Sequence, residues 1–284
     1  MKRFHTIASL RAHVAGARAA GARIGLVPTM GALHEGHLRL LDRAREGSDV
    51  VVVSIFVNPL QFGPTEDFTR YPRDPARDAA LVAARGGDVV FSPDVAEMYP
   101  DGASGVHVTA PGLDDRLCGR HRPGHFTGVL TVVAKLLNIV APDVAVFGQK
   151  DYQQAVLISR MVRDLDFPVR IDVAPIVREA DGLAMSSRNA YLAPPDRQRA
   201  AALHRALRAA ETLYQRGEHD AAALVAVARQ VVEAEGGIDL QYLEVVDPAT
   251  LESCARAEAG CVVALAAYVG ATRLIDNLIL DPTG

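Results

Sequence analysis

The sequence contains no tryptophan, few cysteines and few lysines, and it has no long apolar run. The three cysteines, Cys118, Cys254 and Cys261, are scattered and odd in number. This usage predicts reduced thiols and argues against a disulfide framework or a zinc site. No apolar stretch approaches the roughly 18 to 20 residues that span a bilayer, and the first residues lack the apolar core of a signal peptide. We therefore expect a cytoplasmic protein that does not enter a membrane.

Several motifs of nucleotide-binding and hydrolytic enzymes are also missing. The sequence has no G-x-x-x-x-G-K-[ST] loop, no G-x-G-x-x-G after a strand pattern and no G-x-S-x-G. These absences argue against a P-loop, a dinucleotide site and a nucleophile elbow. The formal net charge of −4 argues against a general nucleic-acid binder. The 284 residues suit one large domain or two smaller ones.

The scarcity of lysine makes the remaining lysines informative. The chain has only Lys2, Lys135 and Lys150, and every other permanently basic residue is arginine. An internal lysine is therefore a candidate for a role that needs a compact ammonium group on a flexible stem. Lys135 falls in a long apolar helix pattern, where a lysine is costly unless it is paired or reaches a surface.

Strand-like and helix-like segments alternate through the first part of the chain, which predicts a parallel α/β sheet with flanking helices. Strands are predicted at 24–27, 51–57, 88–93, 143–148 and 169–173, and helices at 6–21, 74–85, 127–140 and from about 149 to 164. Pro28 is expected to close the first strand, because proline cannot donate to a sheet ladder. Residues 94–119 are expected to form an irregular excursion or a short hairpin.

The pattern changes near residue 176. Two Ala- and Arg-rich helices are predicted at 196–216 and 220–235, followed by three strand-like segments that suit a small antiparallel sheet. We therefore divide the chain into a first domain at 1–176 and a smaller α+β domain at 177–284, which we expect to act as a lid.

The stretch VPTMGALHEGHLRLL, from Val27 to Leu41, has the most distinctive pattern. A strand end leads through a glycine-containing loop into an amphipathic helix, a geometry that directs backbone N–H groups and a positive dipole end at a phosphate. His34 and His37 share one side of the helix entry, and the dipole keeps them mostly neutral near pH 7. A neutral imidazole still donates one hydrogen bond to phosphate. The alternative is that one histidine caps the loop and the other is solvated.

The segment GQKD at 148–151 follows a second buried strand and begins a helix. Lys150 thus lies at a turn of the same kind as the two histidines, and parallel strands end at one edge of a sheet. Two such turns, one with neutral histidines and one with lysine, would bracket a polyphosphate.

Other polar segments are less specific on their own. Asn58 and Gln61 follow the predicted strand at 51–57, where neutral amides can bind a hydroxyl or a carboxylate, although loop capping is the commoner role of a lone amide. The basic segment GRHRPGHF at 119–126 either binds an anion or forms a solvated loop. The hydroxyls and guanidinium of AMSSRN at 184–189 suit a phosphate.

Several of these motifs resemble known signatures in the same order along the chain. TMGALHEGH at 29–37 closely resembles the first signature of the pantoate–β-alanine ligase family, and its HxGH is similar to that of nucleotidyltransferases related to class I aminoacyl-tRNA synthetases. FVNPLQF at 56–62 matches a second family motif. AMSSRN resembles the mobile KMSKS-type loop of the same nucleotidyltransferases, and the resemblance continues to TRLIDN at 272–277.

The resemblance implies that the domain at 1–176 is Rossmann-like and binds ATP and pantoate. It also implies a homodimer and dependence on Mg²⁺ with unknown protein ligands. Implied catalytic residues are His34, His37, Lys150 and Arg188, with His37 as a proton donor. Implied substrate ligands are Gln61, which contacts both pantoate and β-alanine, together with Gln154 and Asn58. The implied ATP site comprises Met30, Gly31, Ala32, Leu33, His34, Glu35, Gly36, His37, Gly148, Gln149, Lys150, Asp151, Val177, Met185, Ser186, Ser187 and Arg188.

The implied reaction makes pantothenate in two steps. The carboxylate of pantoate attacks the α-phosphate of Mg-ATP, and pyrophosphate leaves. The bound pantoyl adenylate then reacts with the amine of β-alanine, and AMP leaves. A closing lid is expected to exclude water, with residues 177–192 as its hinge and loop. The expected partners are pantoate, β-alanine and ATP, without nucleic acid or membrane.

Two other functions remain as alternatives. One is a nucleotidyltransferase that joins a phosphoester to ATP, for which more cations would be expected near FVNPLQF and KDYQQ. The other is a regulatory module that binds a nucleotide but has lost catalysis. The joint presence of all the catalytic candidates argues against it.

Overall fold

The structure is a computed structural model that describes residues 1–64, 66–103 and 105–281. The chain forms two compact units. The first comprises 1–115, 119–148 and 157–175, and the second comprises 116–118, 149–156 and 176–284. The second unit thus takes two short segments from the earlier part of the chain. The assignment of substrate binding to 1–176 and of a lid to 177–284 stays a prediction.

The first unit is built on a six-stranded parallel sheet, which confirms the predicted fold class. Its strands are β1 (Lys2–Phe4), β2 (Ile24–Thr29), β3 (Val50–Ile55), β4 (Val89–Phe91), β5 (Val144–Gly148) and β6 (Arg170–Ala174). The strand order is β1-β4-β3-β2-β5-β6 and every neighbouring pair is parallel. The order reverses between β2 and β5, and ligands of such sheets bind beyond the carboxyl ends of the strands at this position.

The edge strand β1 was not predicted from the sequence. Only three residues long, it pairs with β4 through Lys2 and Val89. Two of its residues are charged, so it lacks the apolar run that marks the buried strands.

Pro28 does not close β2, and that prediction was wrong. The strand continues through Pro28 to Thr29. Successive residues of a strand turn their backbone groups to opposite sides, so Pro28 faces the same neighbour as Ile24, whose carbonyl accepts from the Asp143 amide beside β5 (2.8 Å). Pairing between β2 and β5 ends at Leu26. Pro28 therefore lies where β2 needs no N–H group for pairing with β5.

The helices before residue 176 are α1 (Ile7–Ala19), α2 (Glu35–Arg45), α3 (Pro75–Ala84), α4 (Val95–Met98), α5 (Leu117–His121), α6 (His125–Val140) and α7 (Tyr152–Asp164). The short helices α4 and α5 lie where an irregular excursion was predicted. Asp94 starts α4 because its side chain accepts from the Glu97 amide (2.8 Å), a cap that the sequence analysis missed. The long helix α6 lies close to the turn Pro59–Gln61, since a Cβ on Gly128 would clash with the Leu60 carbonyl group.

The second unit combines helices with a three-stranded antiparallel sheet, as predicted. Its helices are α8 (Pro194–Ala200), α9 (Ala202–Gln215) and α10 (Ala221–Glu235), and its strands, in spatial order, are β7 (Ile238–Val246), β8 (Val262–Val269) and β9 (Thr272–Ile279). The single helix predicted at 196–216 is two helices, because the Ala201 amide bonds to the Gln198 carbonyl in a tighter turn. Leu207, Leu224 and Leu265 are fully buried in the core of this unit.

Within the described ranges, no helix has both the length and the apolar character to cross a bilayer.

Candidate active site

The two histidines lie together where β2 leads into α2. His34 is the extended residue before the helix, and His37 is its third residue. Their ring centroids are 4.1 Å apart with planes inclined by 40°, and the His34 amide faces His37 Nδ1 at 3.4 Å. The prediction that both rings share one side of the helix entry is confirmed. Both side chains are half-buried, which limits their hydration while leaving them accessible to a ligand.

The loop before these histidines is held by a buried carboxylate on α3. Asp78 is 1% exposed, and its two oxygens accept from the amides of Ala32 (2.9 Å) and Leu33 (2.8 Å). The loop is tight, with a φ of 81° at Gly31, and a Cβ on Gly31 would approach Asp78 Oδ2 to 2.9 Å. Asp78 therefore fixes the backbone immediately before His34.

This anchor corrects one expectation from the sequence. The loop amides were expected to approach a phosphate, but those of Ala32 and Leu33 donate to Asp78 instead. A bound anion can still meet the first amides of α2, at Glu35 and Gly36, because a helix leaves its first N–H groups without intrahelical partners. The sequence carried a signal for the anchor, since an acidic residue interrupts the apolar face of the predicted helix at 74–85.

Glu35, a predicted ATP-binding residue, is engaged in an ion-pair network on the same helix. Its carboxylate accepts from Arg85 (2.7 Å), which also contacts Asp42 at 2.8 Å. The hydrogen bonds that Arg85 donates to Asp42 and then to Glu35 outweigh burial and raise the pKa of Arg85. These pairs attach α2, at Glu35 in its first turn and at Asp42 two turns later, to the residue that follows α3.

Asn58 and Gln61 form one buried amide pair after β3. Asn58 is 1% exposed, and its Nδ2 donates to Gln61 Oε1 and to the Gly128 carbonyl, both at 3.0 Å. Its Oδ1 accepts from the hydroxyl of Tyr99 (2.9 Å), whose pKa is raised by burial. Gln61 Nε2 contacts Met30 Sδ at 3.2 Å. The contacts of Asn58 are those of a residue that orients Gln61, and its predicted role as a direct substrate ligand stays a prediction.

The basic segment 119–126 is largely helical, as it includes the end of α5 and the start of α6. Its Arg122 makes an ion pair with Glu66 (2.5 Å), and His125 Nδ1 contacts the Gln61 carbonyl oxygen at 2.8 Å. Burial alone would raise the pKa of Glu66, but the hydrogen bond and charge of Arg122 lower it below its ordinary value. These two side chains thus stabilise the backbone around Gln61.

The side chain of Lys135 packs against an aromatic ring of the first unit. Its ammonium lies over the ring of Tyr99, 5.7 Å from the centroid, so the predicted cost of a lysine in an apolar helix is offset by a cation–π contact.

The turn with Lys150 follows directly after the end of β5 at Gly148, and residues Gln149–Asp151 form a 3-10 helix. Asn277 of β9 donates to the carbonyl oxygens of Gln149 and Lys150, both at 3.0 Å. The Lys150 side chain is 21% exposed, and its Nζ is 3.9 Å from the Asp151 carboxylate, a distance longer than a direct hydrogen bond. The turn is therefore fixed through its backbone, and among the described residues the ammonium makes a loose ionic contact with Asp151.

The predicted ATP residues after 176 belong to one folded segment of the second unit. The Met185 amide donates to the Val177 carbonyl (3.0 Å), and Arg178 bridges antiparallel to Ala184. Ser186 then precedes the 3-10 helix Ser187–Tyr191, and its hydroxyl oxygen accepts from the Arg188 amide (3.2 Å).

Two adjacent glutamines of α7 have different environments. Gln153 is 5% exposed, and it accepts from the Cys118 amide (2.9 Å) and donates to the Arg116 carbonyl (2.7 Å). Gln154, the predicted pantoate ligand, is half-buried. Gln153 is thus a structural residue, and Gln154 has the exposure that a ligand-binding residue needs.

Across residues 1–64, 66–103 and 105–281, no cluster of three or more His, Cys, Asp or Glu side chains could hold a metal ion. The predicted site residues form two sets, one in each unit. Together the two sets offer hydrogen-bond donors and cations.

Comparisons with known proteins agree with the motifs. A family model described as pantoate-beta-alanine ligase matches residues 2–279. A curated pantothenate synthetase from Moorella thermoacetica is 54% identical over 281 residues, which cover 99% of both chains. The crystal structure of pantothenate synthetase from Thermus thermophilus aligns with a TM-score of 0.94 and 45% identity, over 99% of this chain and 100% of that one.

A third relative is a pantoate-beta-alanine ligase from Francisella tularensis, whose crystal structure is described as a complex with beta-gamma ATP and beta-alanine. It aligns with a TM-score of 0.81 and 35% identity, over 100% of this chain and 99% of that one.

Proposed function

This chain belongs to the pantoate–β-alanine ligase family and joins pantoate to β-alanine in an ATP-dependent reaction, and we propose that it does so through a pantoyl adenylate bound by the residues described above. A carboxylate is a poor electrophile, whereas its mixed anhydride with AMP is a good one. The observation that most supports the proposal is the family match over residues 2–279, which includes both histidines, Lys150 and the Ser-Ser-Arg segment.

In the first step a carboxylate oxygen of pantoate attacks the α-phosphorus, and the bond to pyrophosphate breaks. Negative charge then grows on the phosphate oxygens. His34 and His37 donate hydrogen bonds to these oxygens, while Lys150 and Arg188 supply positive charge. Oriented donors and cations of this kind are the main source of catalysis in phosphoryl and nucleotidyl transfer. The hydroxyls of Ser186 and Ser187 add further donors.

In the second step the amine of β-alanine attacks the acyl carbon, and the acyl–oxygen bond to AMP breaks. Gln61 is well suited to hold both acids, because its amide has a donor and an acceptor and Asn58 fixes its orientation. Gln154 and Asn58 complete the proposed substrate set. A catalytic proton transfer by His37 is part of the proposal, although the first step itself needs only a hydrogen bond.

Magnesium enters this scheme with the nucleotide. Mg²⁺ in ATP sites is held mainly by phosphate oxygens and water, with one or two carboxylates from the protein. The donors among the described residues fit this mode, since isolated carboxylates such as Asp151 are present and a preformed cluster is not. When bound, the ion neutralises phosphate charge.

We further propose that the enzyme is a cytoplasmic homodimer and that residues 177–192 close over the adenylate. The family resemblance supports the homodimer. The three free thiols, Cys118, Cys254 and Cys261, support the cytoplasmic location. The closure follows from the chemistry, because an acyl adenylate exposed to water hydrolyses. Light scattering at several protein concentrations measures the assembly, and a mass of one chain would refute the dimer.

The decisive experiment measures pyrophosphate release from MgATP with pantoate, in the presence and absence of β-alanine. We expect steady turnover only with both acids, and one equivalent of bound adenylate when β-alanine is omitted. Release that ignores pantoate but responds to a phosphoester would instead indicate a nucleotidyltransferase of another specificity. No consumption of ATP under any condition would leave a nucleotide-binding module.

A further inference from the structure

The side-chain amide of Asn277 makes three hydrogen bonds to one turn, Gln149–Asp151. It lies on β9 and is 3% exposed. Nδ2 donates to the carbonyl oxygens of both Gln149 and Lys150 at 3.0 Å, and Oδ1 accepts from Gln149 Nε2 at 3.1 Å. Both N–H groups of the amide thus face carbonyl oxygens, and its oxygen faces the side-chain N–H group of Gln149. The opposite orientation of the amide would bring oxygen against two carbonyl oxygens, so the network specifies the orientation.

Asp276, the residue before Asn277 on β9, binds the segment that begins at Val177. Asp276 is also 3% exposed, and its carboxylate accepts two parallel bonds from Arg178, at 2.7 and 3.0 Å. A bidentate pair of this kind fixes direction as well as distance. Arg178 directly follows Val177, which begins the segment that ends in Ser186, Ser187 and Arg188.

We propose that Asn277 is a positioning residue for Lys150, and that Asp276 and Asn277 together set the distance between the Lys150 turn and the Val177–Arg188 segment within the second unit. The inference rests on the proposed role of Lys150 at the phosphates. Adjacent residues of a β-strand are about 3.3 Å apart along a stiff backbone, so two segments attached there have little freedom relative to each other. Asn277 acts through the backbone of the turn and does not itself contact substrate.

The two half-reactions separate positioning from general structure. Lys150 is proposed to act on phosphates only while adenylate forms. In Asn277→Ser we therefore expect kcat for adenylate formation to fall about 100-fold, the loss that a displacement of about 1 Å can cause. The KM for pantoate stays within about twofold, as does the reaction of synthetic pantoyl adenylate with β-alanine. A residue that merely supports the fold would slow both half-reactions, and such a result would overturn the proposal.

A second variant changes chemistry without changing shape. Asn277→Asp keeps the side-chain volume but places an acceptor against the two carbonyl oxygens, so it should lose at least as much adenylate formation as Asn277→Ser. The matched control is Asn138→Asp, since Asn138 is an exposed residue of α6 whose amide bonds only to the Ala134 carbonyl among the described residues. It should be within twofold of wild type. Asn277→Asp with normal adenylate formation would refute the role of the two donors.

A double-mutant cycle tests whether Asn277 acts through Lys150. In a Lys150→Met background, the added change Asn277→Ser should slow adenylate formation by less than about threefold, because the group that it positions is gone. If the two losses multiply to the full product, Asn277 acts independently of Lys150 and the inference fails. If Lys150→Met alone forms adenylate at the wild-type rate, the proposed function of Lys150 fails first. Thermal unfolding of each variant verifies that folded protein is compared.

Discussion

Two turns that are proposed to face the phosphates are held by opposite chemistry. In the first unit, the loop before His34 is anchored through its N–H groups by the carboxylate of Asp78. In the second unit, the turn of Lys150 is anchored through its carbonyl groups by the amide of Asn277. Both anchors are almost fully buried, and neither was predicted as a site residue.

The difference follows from the side chains that each turn presents. Lys150 already makes a loose ionic contact with Asp151, and a second carboxylate at the anchor position would pair with the lysine more strongly and leave it less available to a phosphate. An amide anchors the same backbone without offering a charge. The histidine loop needs acceptors for two adjacent amides, and a carboxylate supplies two oxygens in one side chain. The comparison predicts that changes in charge matter most at Lys150 and changes in stability matter most at Asp78.

The largest effect is expected from the cation itself. Lys150→Met should lower kcat/KM for ATP about 1000-fold, because removal of one group that stabilises transition-state charge typically costs about 100- to 1000-fold. Steady-state assays of pyrophosphate release measure it. Lys135→Met is the control, since that lysine lies over Tyr99, and it should retain activity within a few-fold. Equal losses in the two variants would mean that lysine charge acts only on stability.

The histidine donors of the other turn should matter next. His37→Gln and His34→Gln should each lower the rate of adenylate formation about 100-fold, because a glutamine cannot place its donor where the ring does. Rapid-quench measurement of adenylate gives the rate directly. The exposed His107 offers a control, and His107→Gln should leave the rate unchanged. A His37 variant that forms adenylate normally would remove that residue from the mechanism.

Asp78, the charged anchor of the histidine loop, should contribute mainly to the stability of the fold. Asp78→Asn replaces one of two acceptors by a donor that faces a backbone N–H, so we expect a loss of about 2 kcal/mol in the free energy of unfolding. Urea unfolding measures it. Asp74→Asn, at the start of the same helix, is the matched control, because its side chain caps the Arg77 amide and asparagine caps equally well. If both variants lose the same stability, Asp78 is an ordinary helix residue.

The smallest expected effect is a pH dependence of stability, which should appear at the charged residue Glu66 but not at the neutral anchor Asn277. The folded state holds the pKa of Glu66 below its ordinary value of 4.5. Its pair with Arg122 therefore stabilises the fold fully above pH 4.5, and this contribution is lost as the pH falls through the lowered value. Glu66→Gln should cost about 1 kcal/mol at pH 7, and the gap to wild type should shrink in acid.

The neutral anchor gives the contrasting case for this titration. The gap between wild type and Asn277→Ser should stay constant over the same pH range, because an amide does not titrate. Urea unfolding at pH 7, 5 and 3.5 measures both gaps. A gap for Glu66→Gln that does not change with pH would show that the charge of Glu66 is irrelevant there.

The sequence predicted most of the fold because its buried strands and amphipathic helices have clear periodicity. It missed what depends on distant partners. The three-residue strand β1 forms only because β4 offers it an edge, and Pro28 is tolerated only because pairing with β5 has already ended. Local propensity contains neither fact.

The candidate site shows the same limit. Histidines, Lys150 and the serine segment could be selected from residue type and turn position alone. Asp78 and Asn277 could not, since each acts on a loop at least 40 residues away in sequence, and an isolated Asp or Asn in a helix or strand has no distinctive spacing. Their signal was a polar residue at a buried position of an otherwise apolar pattern.

The measurement that tests the account most directly follows oxygen through the reaction. Pantoate labelled with ¹⁸O in its carboxylate is incubated with enzyme, MgATP and β-alanine, and the products are analysed by mass spectrometry. Attack on the α-phosphate predicts one ¹⁸O atom in the phosphate of each AMP, with unlabelled pyrophosphate. Label in inorganic phosphate together with ADP would show activation by attack on the γ-phosphate, and would contradict the pantoyl adenylate on which the proposed roles of both turns depend.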